Sequence, residues 1–396
     1  MPWAASVTAM AVGRAAVLAG VLAASGCSSL PSINPLDWFA SAPNAPKPAE
    51  LPPLTNPKNA RLVWQAAIGP AEPYVFSPAL SGDSIYVAAR DGSVARLDAE
   101  TGKLAWRVAA GTRLSAGAGS DGALVVVATG IGEVIALDAQ SGLAKWRSRV
   151  SSEVLAAPKV FDGVVLVRSA DSRIFAFDAL DGKRRWVYQR AASALGVRSP
   201  AGVTAHEGSI YAGFSGGKLV AVALANGAAR WEATVALPKG ATELERVTDV
   251  GGDPAIHGRE VCAAAYQGRV ACFDLSNGNP VWSREVSALN GVGLDPRYAY
   301  VSDDQGAVHA LDRTSGKSVW KQDRLAHRRL TMALPVGAEI AVGDLQGFVH
   351  LLARESGAFV GRMATDGSAI AAAPLRLKSG FLVQTRAGNL YAFAPQ

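Results

Sequence analysis

The sequence predicts an all-β protein: an eight-bladed β-propeller closed by an N-terminal strand, preceded by a signal peptide and a Pro-rich tether. Three observations predict it. A pattern of some 15 residues recurs eight times after residue 60. Each copy alternates apolar and polar residues, as a half-buried strand does. A spare strand at the front, Leu62-Val63-Trp64, matches a strand that the last copy lacks.

Residues 1–26 hold no acidic residue and a single Arg14, ahead of the apolar run Ala15-Ala16-Val17-Leu18-Ala19-Gly20-Val21-Leu22-Ala23-Ala24. That run is short for a membrane span and reads as the core of a secretory signal. It leads into Ala24-Ser25-Gly26-Cys27, which resembles a lipobox whose Cys27 is acylated, although Ala24 stands where a Leu is usual. Acyl chains at about 0.8 kcal/mol per buried CH₂ would hold the protein on a membrane. Ser28-Ser29 follow, with no Asp, which favours the outer membrane over the inner. Eight of the 21 prolines then fall between residues 28 and 60. The expectation is a lipidated Cys and extended linker over 27–60. Within it, Trp38-Phe39 are candidates for contact with lipid or a partner. The propeller is expected over 61–396.

The repeat begins at Gly92, Gly132, Ser172, Gly217, Gly268, Gly306, Gly347 and Gly388. Six residues on, an Asp (98, 138, 178, 274, 312) can accept the backbone N–H groups of a turn. Ten residues on, a Gly (102, 142, 182, 227, 278, 316, 357) supplies positive φ. Fourteen residues on, a Trp (106, 146, 186, 231, 282, 320) opens the next strand and is large enough to wedge between sheets. Another short apolar strand precedes each copy, such as Ile85-Tyr86-Val87 or Val164-Val165-Leu166-Val167. Four short strands every ~40 residues make a propeller blade. The last copy ends at Tyr391-Ala392-Phe393 without its Trp strand, so the front strand should complete it and leave no free edge.

Two joints are longer than the rest. Copies are spaced by 40, 40, 45, 51, 38, 41 and 41 residues. Extra length on a rigid scaffold is where binding residues concentrate. The first long joint carries Leu195, Val197 and Arg198; the second carries Glu243, Glu245, Arg246 and Asp249. Aliphatic residues beside forked guanidinium groups and carboxylates suit a protein-binding surface.

The blade signature Asp-Ala-x-Thr/Ser-Gly-x-x-x-Trp resembles the pyrroloquinoline-quinone-type propeller repeat. Two kinds of protein carry it. The quinoprotein dehydrogenases would imply a central quinone and a Ca²⁺ ion. The chain lacks their adjacent cysteine pair and shows no compact acidic cluster with cation-ligand spacing. The other kind is the BamB family, the propeller lipoproteins of the outer-membrane β-barrel assembly (Bam) complex. Its likeness extends over nearly the whole chain: lipobox, tether, eight blades, and the segment from Pro238 to Val250. That segment resembles the family's Glu-x-Asp/Glu-Arg-x-x-Asp-Val loop, with Gly251 where a further acidic residue is common. The resemblance implies a non-enzymatic scaffold with no cofactor, on the outer membrane and facing the periplasm. Its two long joints would dock BamA, the barrel-forming subunit, alongside the other Bam subunits and nascent outer-membrane proteins. A periplasmic quinone- or metal-dependent oxidoreductase and a generic envelope-binding propeller are the alternatives.

The formal charge of +6 comes without a Lys/Arg run, which argues against nucleic acid. His309 and His350 share one repeat position and read as strand residues; His206, His257 and His327 read as isolated loop residues. No metal spacing emerges. Cys262 and Cys272 flank a turn and face each other in a hairpin. Either a cross-strand disulfide or two buried thiols fits.

Overall fold

The structure is a computed structural model that describes residues 46–191 and 195–395. The signal peptide, Cys27, Trp38-Phe39 and the first part of the tether lie outside the described residues. From Lys47 onward the chain forms one compact unit.

That unit is the predicted propeller. Blade 1 consists of Ala79–Ser81, Ser84–Ala88, Ser93–Asp98 and Leu104–Ala109, hydrogen-bonded antiparallel in that order. Blades 2 to 7 repeat this at 119–149, 159–189, 203–234, 250–284, 293–322 and 334–364. Blade 8 takes three strands from 375–394 and its outermost strand, Arg61–Ala67, from the front of the chain. Arg61 pairs with Ala394 and Ala67 with Asn389. The first strand of every blade touches the first strands of both neighbours, so the ring closes through all eight. Second strands such as Ser84–Ala88 are buried along their whole length, whereas outermost strands such as Leu104–Ala109 and Ala144–Arg149 cover at most alternate residues, some only in part. The core is therefore a series of apolar clusters, one at each seam between blades.

The tryptophans explain how the seams hold. Trp64, Trp106, Trp146, Trp186, Trp231, Trp282 and Trp320 each donate the indole N–H to a backbone carbonyl of the next blade, at 2.5 to 3.1 Å. The acceptor is always the residue after the Asp position: Ala99, Ala139, Ala179, Leu224, Leu275, Arg313 and Arg354. The indole ring lies on the Gly of that same turn. A Cβ at Gly182 would sit 2.5 Å from Trp146 Cε3, and one at Gly102 equally close to Trp64. The repeat glycine thus serves two needs, a φ of 66° to 74° and room for the neighbouring indole. Burying one indole contributes roughly 4 kcal/mol before entropy is counted. The Asp of the turn accepts backbone N–H groups, as Asp98 does from Thr101 (2.8 Å) and Glu100 (3.2 Å); the Thr101 hydroxyl foremost, together with these bonds, holds its carboxyl below the ordinary range.

The seam between blades 7 and 8 differs. Gly361 stands at the tryptophan position. A Cβ there would lie 2.5 Å from the carbonyl oxygen of Lys58, so the N-terminal segment occupies that place. The end of the stretch expected as an extended linker is therefore docked on the ring from Ala49 to Ala60.

Two smaller outcomes concern single residues. Cys262 and Cys272 are directly opposed in blade 5 and joined as a disulfide, with Cα atoms 4.0 Å apart. His206 and His257 end the first strands of blades 4 and 5 rather than lying in loops.

A pair of substitutions tests the seam. Gly163 and Gly182 both have φ of +71°, but a Cβ at Gly163 meets nothing within 4 Å. Gly163→Ala should cost about 1 kcal/mol for its backbone alone. Gly182→Ala should cost about 3 kcal/mol or more, because the indole of Trp146 must also move. Urea denaturation of the two variants checks this; equal costs would mean that the indole contact is not the constraint.

Candidate functional surface

The two faces of the ring differ in what they carry. The turns between third and fourth strands, with their Asp and Gly, lie on one face. The loops joining consecutive blades lie on the other, and both long joints belong to this loop face.

The first joint leaves blade 3 and reaches toward the start of the ring. Arg198 makes a forked pair with Glu153, Nε to Oε1 at 3.1 Å and Nη2 to Oε2 at 2.8 Å. Its guanidinium also stands 5.2 Å over the ring of Tyr74, which Arg90 covers from 4.8 Å. Glu153 foremost keeps Arg198 firmly charged. Leu195 is 49% exposed at the tip of this joint.

The second joint is organised around Glu245. Its carboxylate accepts the N–H groups of Ala241 (2.8 Å) and Thr242 (3.0 Å), while Thr242 Oγ1 accepts the N–H of Glu245 (3.2 Å). This reciprocal arrangement is the one that caps a helical turn. The N–H bonds hold Glu245 below the ordinary carboxylate range. Arg246 donates from Nε to the carbonyl of Gly240 at 3.1 Å and stands 3.7 Å from Glu243. Leu244 projects from the turn, 72% exposed, and Leu237 precedes it at 66%.

Asp249 ties the joints together. It is buried and accepts the N–H of Val197 across the gap between them. Burial pushes its carboxyl upward, against the pull of that N–H. Beside it, Arg168 lies 4.9 Å over the ring of Phe214, and burial lowers its guanidinium to about 10. The side chains of Glu153, Arg168, Val197, Arg198 and Asp249 line a cavity of about 300 Å³ beneath the first joint.

Of the seven residues singled out from the sequence, then, Val197 and Asp249 are in contact, and Glu245 and Arg246 serve their own turn. Arg198 belongs to a separate cluster with Glu153 and Tyr74. Sequence reasoning passed over Tyr74, Glu153 and Arg168. Tyr74 lies in the joint before blade 1, which the spacing between copies does not measure. Leu244 was visible as an apolar residue among charges.

Around the first strands, Lys159 pairs with Asp253 at 3.0 Å, and Asp253 also accepts the N–H of Gly202 at 2.9 Å. Among the described residues no three His, Cys, Asp or Glu side chains converge as metal ligands do. His309 and His350 each hold a carboxylate instead, Asp303 and Asp344, at 2.9 Å.

The family profile described as "Outer membrane protein assembly factor BamB" matches residues 54–111 and 90–322. A protein of that name from Bordetella pertussis is 45% identical over 377 residues, 95% of each chain. Another from Pseudomonas aeruginosa is 42% identical, covering 96% of this chain and 98% of its own. Among solved structures, BamB from Moraxella catarrhalis superposes with a TM-score of 0.79 at 26% identity, over 85% of this chain and all of that one. A quinohemoprotein alcohol dehydrogenase from Comamonas testosteroni reaches 0.65 at 14% identity, over 85% of this chain and 76% of that one, and shares the fold alone.

The geometry assigns Glu245 to its turn, which can be measured. Glu245→Ala should abolish the hydrogen-exchange protection of the Ala241 and Thr242 amides while leaving the melting temperature of the ring unchanged. Retained protection in the variant would mean that the carboxylate does not organise the turn.

Proposed function

The chain belongs to the BamB family of outer membrane protein assembly factors, and from that premise we propose that it acts as a non-enzymatic scaffold whose two long joints dock BamA. The observation that carries this reading is the Val197–Asp249 bond. It fuses the joints into one patch with Leu195 and Leu244 exposed at its two tips. Exposed aliphatic anchors on a rigid support, rimmed by Arg198, Glu243 and Arg246, have the composition of a protein-binding surface. The internal partners of Arg198 hold it in place before a partner arrives, which lowers the ordering cost of binding.

Acylation of Cys27 would keep the propeller on the outer membrane, facing the periplasm. A tether of some twenty residues would then confine it near other membrane-bound subunits and raise their effective concentration, with no new contact required. Other Bam subunits and nascent outer-membrane chains are the further partners of this reading. A central quinone site is not favoured: the dehydrogenases share only the fold, and among the described residues no three His, Cys, Asp or Glu side chains group as a cation's ligands would.

Capture of BamA from solubilised envelopes tests the proposal. The wild-type chain should retain it. Leu195→Asp with Leu244→Asp should reduce capture at least about tenfold, as loss of central anchors does. Arg198→Glu with Arg246→Glu should also weaken capture, with circular dichroism showing both variants folded. Undiminished capture by both would move the interface off the joints. Failure of the wild type to capture BamA would overturn the scaffold reading itself.

A further inference from the structure

The N-terminal segment crosses the outer edge of blade 7 as a strap. At its far end the N–H of Lys58 bonds to Val360 O (2.9 Å), and Asn59 Oδ1 accepts the N–H of Arg362 (2.8 Å). These bonds use backbone groups that the outermost strand Phe359–Ala364 would otherwise turn to solvent. At its near end Ala49 N–H bonds to Ala326 O (2.9 Å), and Leu51 packs into the seam between blades 6 and 7 beside Phe359. Between the two ends, residues 53–57 are exposed or half-exposed.

Two arginines hold the near end. Arg328 donates from Nη1 to the carbonyl of Ala49, and Arg362 from Nη2 to the carbonyl of Pro52, both at 2.9 Å. Both belong to one buried cluster. Arg328 Nε donates to Asp344 Oδ2 at 2.7 Å, His350 Nε2 meets the same oxygen at 2.9 Å, and Arg362 Nε approaches His350 Nδ1 at 3.3 Å. Asp344 and His350 are fully buried and Arg328 nearly so. One protonation state satisfies every contact. His350 must be neutral, with Nε2 donating to Asp344 and Nδ1 accepting from Arg362. The cluster then holds two guanidinium groups and one carboxylate.

We propose that residues 49–60 form a releasable strap, unlatched when His350 takes up a proton. A proton on Nδ1 removes the acceptor for Arg362 and sets a third cation against Arg328 and Arg362 in a buried site. Arg362 then turns away and the bond to Pro52 goes with it. The groups facing His350 are Asp344, Arg328, Arg362 and the rings of Phe348 and Phe359; Arg324 lies 5.9 Å over the Phe359 ring, and Glu50 of the strap is exposed. Burial foremost, and then the two arginines against the pull of Asp344, holds the imidazole below its ordinary range. The sign follows. A base whose affinity for protons is lowered in the docked state weakens that state as pH falls below its ordinary range, since the released state binds the proton more tightly. Release frees a dozen residues, adding roughly 35–40 Å of extended reach to the tether, and bares the outer edge of blade 7. This inference is independent of the partner that the long joints bind.

Hydrogen exchange on the full chain tests it, corrected for the intrinsic effect of pH on amide chemistry. At about pH 7.5 the amides of Ala49, Lys58 and Arg362 should be protected; toward about pH 5.5 their opening should rise, by up to about tenfold per pH unit. Amides in the second strand of blade 3 should not follow. The midpoint of opening should coincide with titration of the His350 ring, read in the wild type from its Cε1–H shift. In His350→Gln, whose amide can both donate to Asp344 and accept from Arg362 but takes up no proton, protection should persist at both pH values. Wild-type opening that is independent of pH, midpoints that do not coincide, or an unchanged pH response in His350→Gln would each overturn the proposal.

Discussion

The structure depends on one contact made seven times: an indole lying on the bare backbone of a glycine in the next blade. A four-stranded blade cannot bury both its faces alone. It becomes stable only when each face meets a neighbour, and the seam must close without leaving a polar group unpaired. Tryptophan meets both demands, because its ring fills the seam and its N–H finds the carbonyl that follows the Asp. The Asp shapes the turn, the Gly admits the ring, and the Trp joins the blades. None of the three has its effect without the others.

This is also why the fold was legible in the sequence. The same residue types recur at the same offsets because every seam solves the same packing problem, and the missing Trp strand of the last copy matched the surplus strand at Trp64. Where the sequence misled, the local composition was a poor guide to tertiary surroundings. Eight prolines point to an extended tether, and its described part, residues 46–60, is without strands. Yet Gly361, a departure from the repeat, marks the place where that segment docks. The departure was readable; its occupant, some 300 residues away along the chain, was not.

The surface around the long joints was legible only as irregular spacing. Spacing locates a loop but does not distinguish a residue that shapes it from one that faces outward. Glu245 and Asp249 have the same charge in sequence. One is exposed and drawn into a turn by nearby N–H groups, while the other is buried beneath Val197, on a joint some 50 residues distant. Arg198 takes its partners from two loops, at Glu153 and Tyr74, that no periodicity connects to it. The residues left free to meet a partner are the aliphatic tips, Leu195 and Leu244, which stand out in sequence only because they lie among polar residues in the long joints.

The pairing of Arg61–Ala67 with the last strand bears on how the protein comes into being. A chain is made from its N-terminal end first, so Leu62-Val63-Trp64 emerges about 330 residues before Ala394, against which Arg61 pairs. Through all that time the strand has no mate, and the seam that Trp64 closes onto Gly102 must wait or form without its outer support. Contacts of such sequence separation slow folding and prolong exposure of apolar edges. A protein of the assembly-factor family therefore begins as an unfinished β-sheet whose first strand can be completed only by its last.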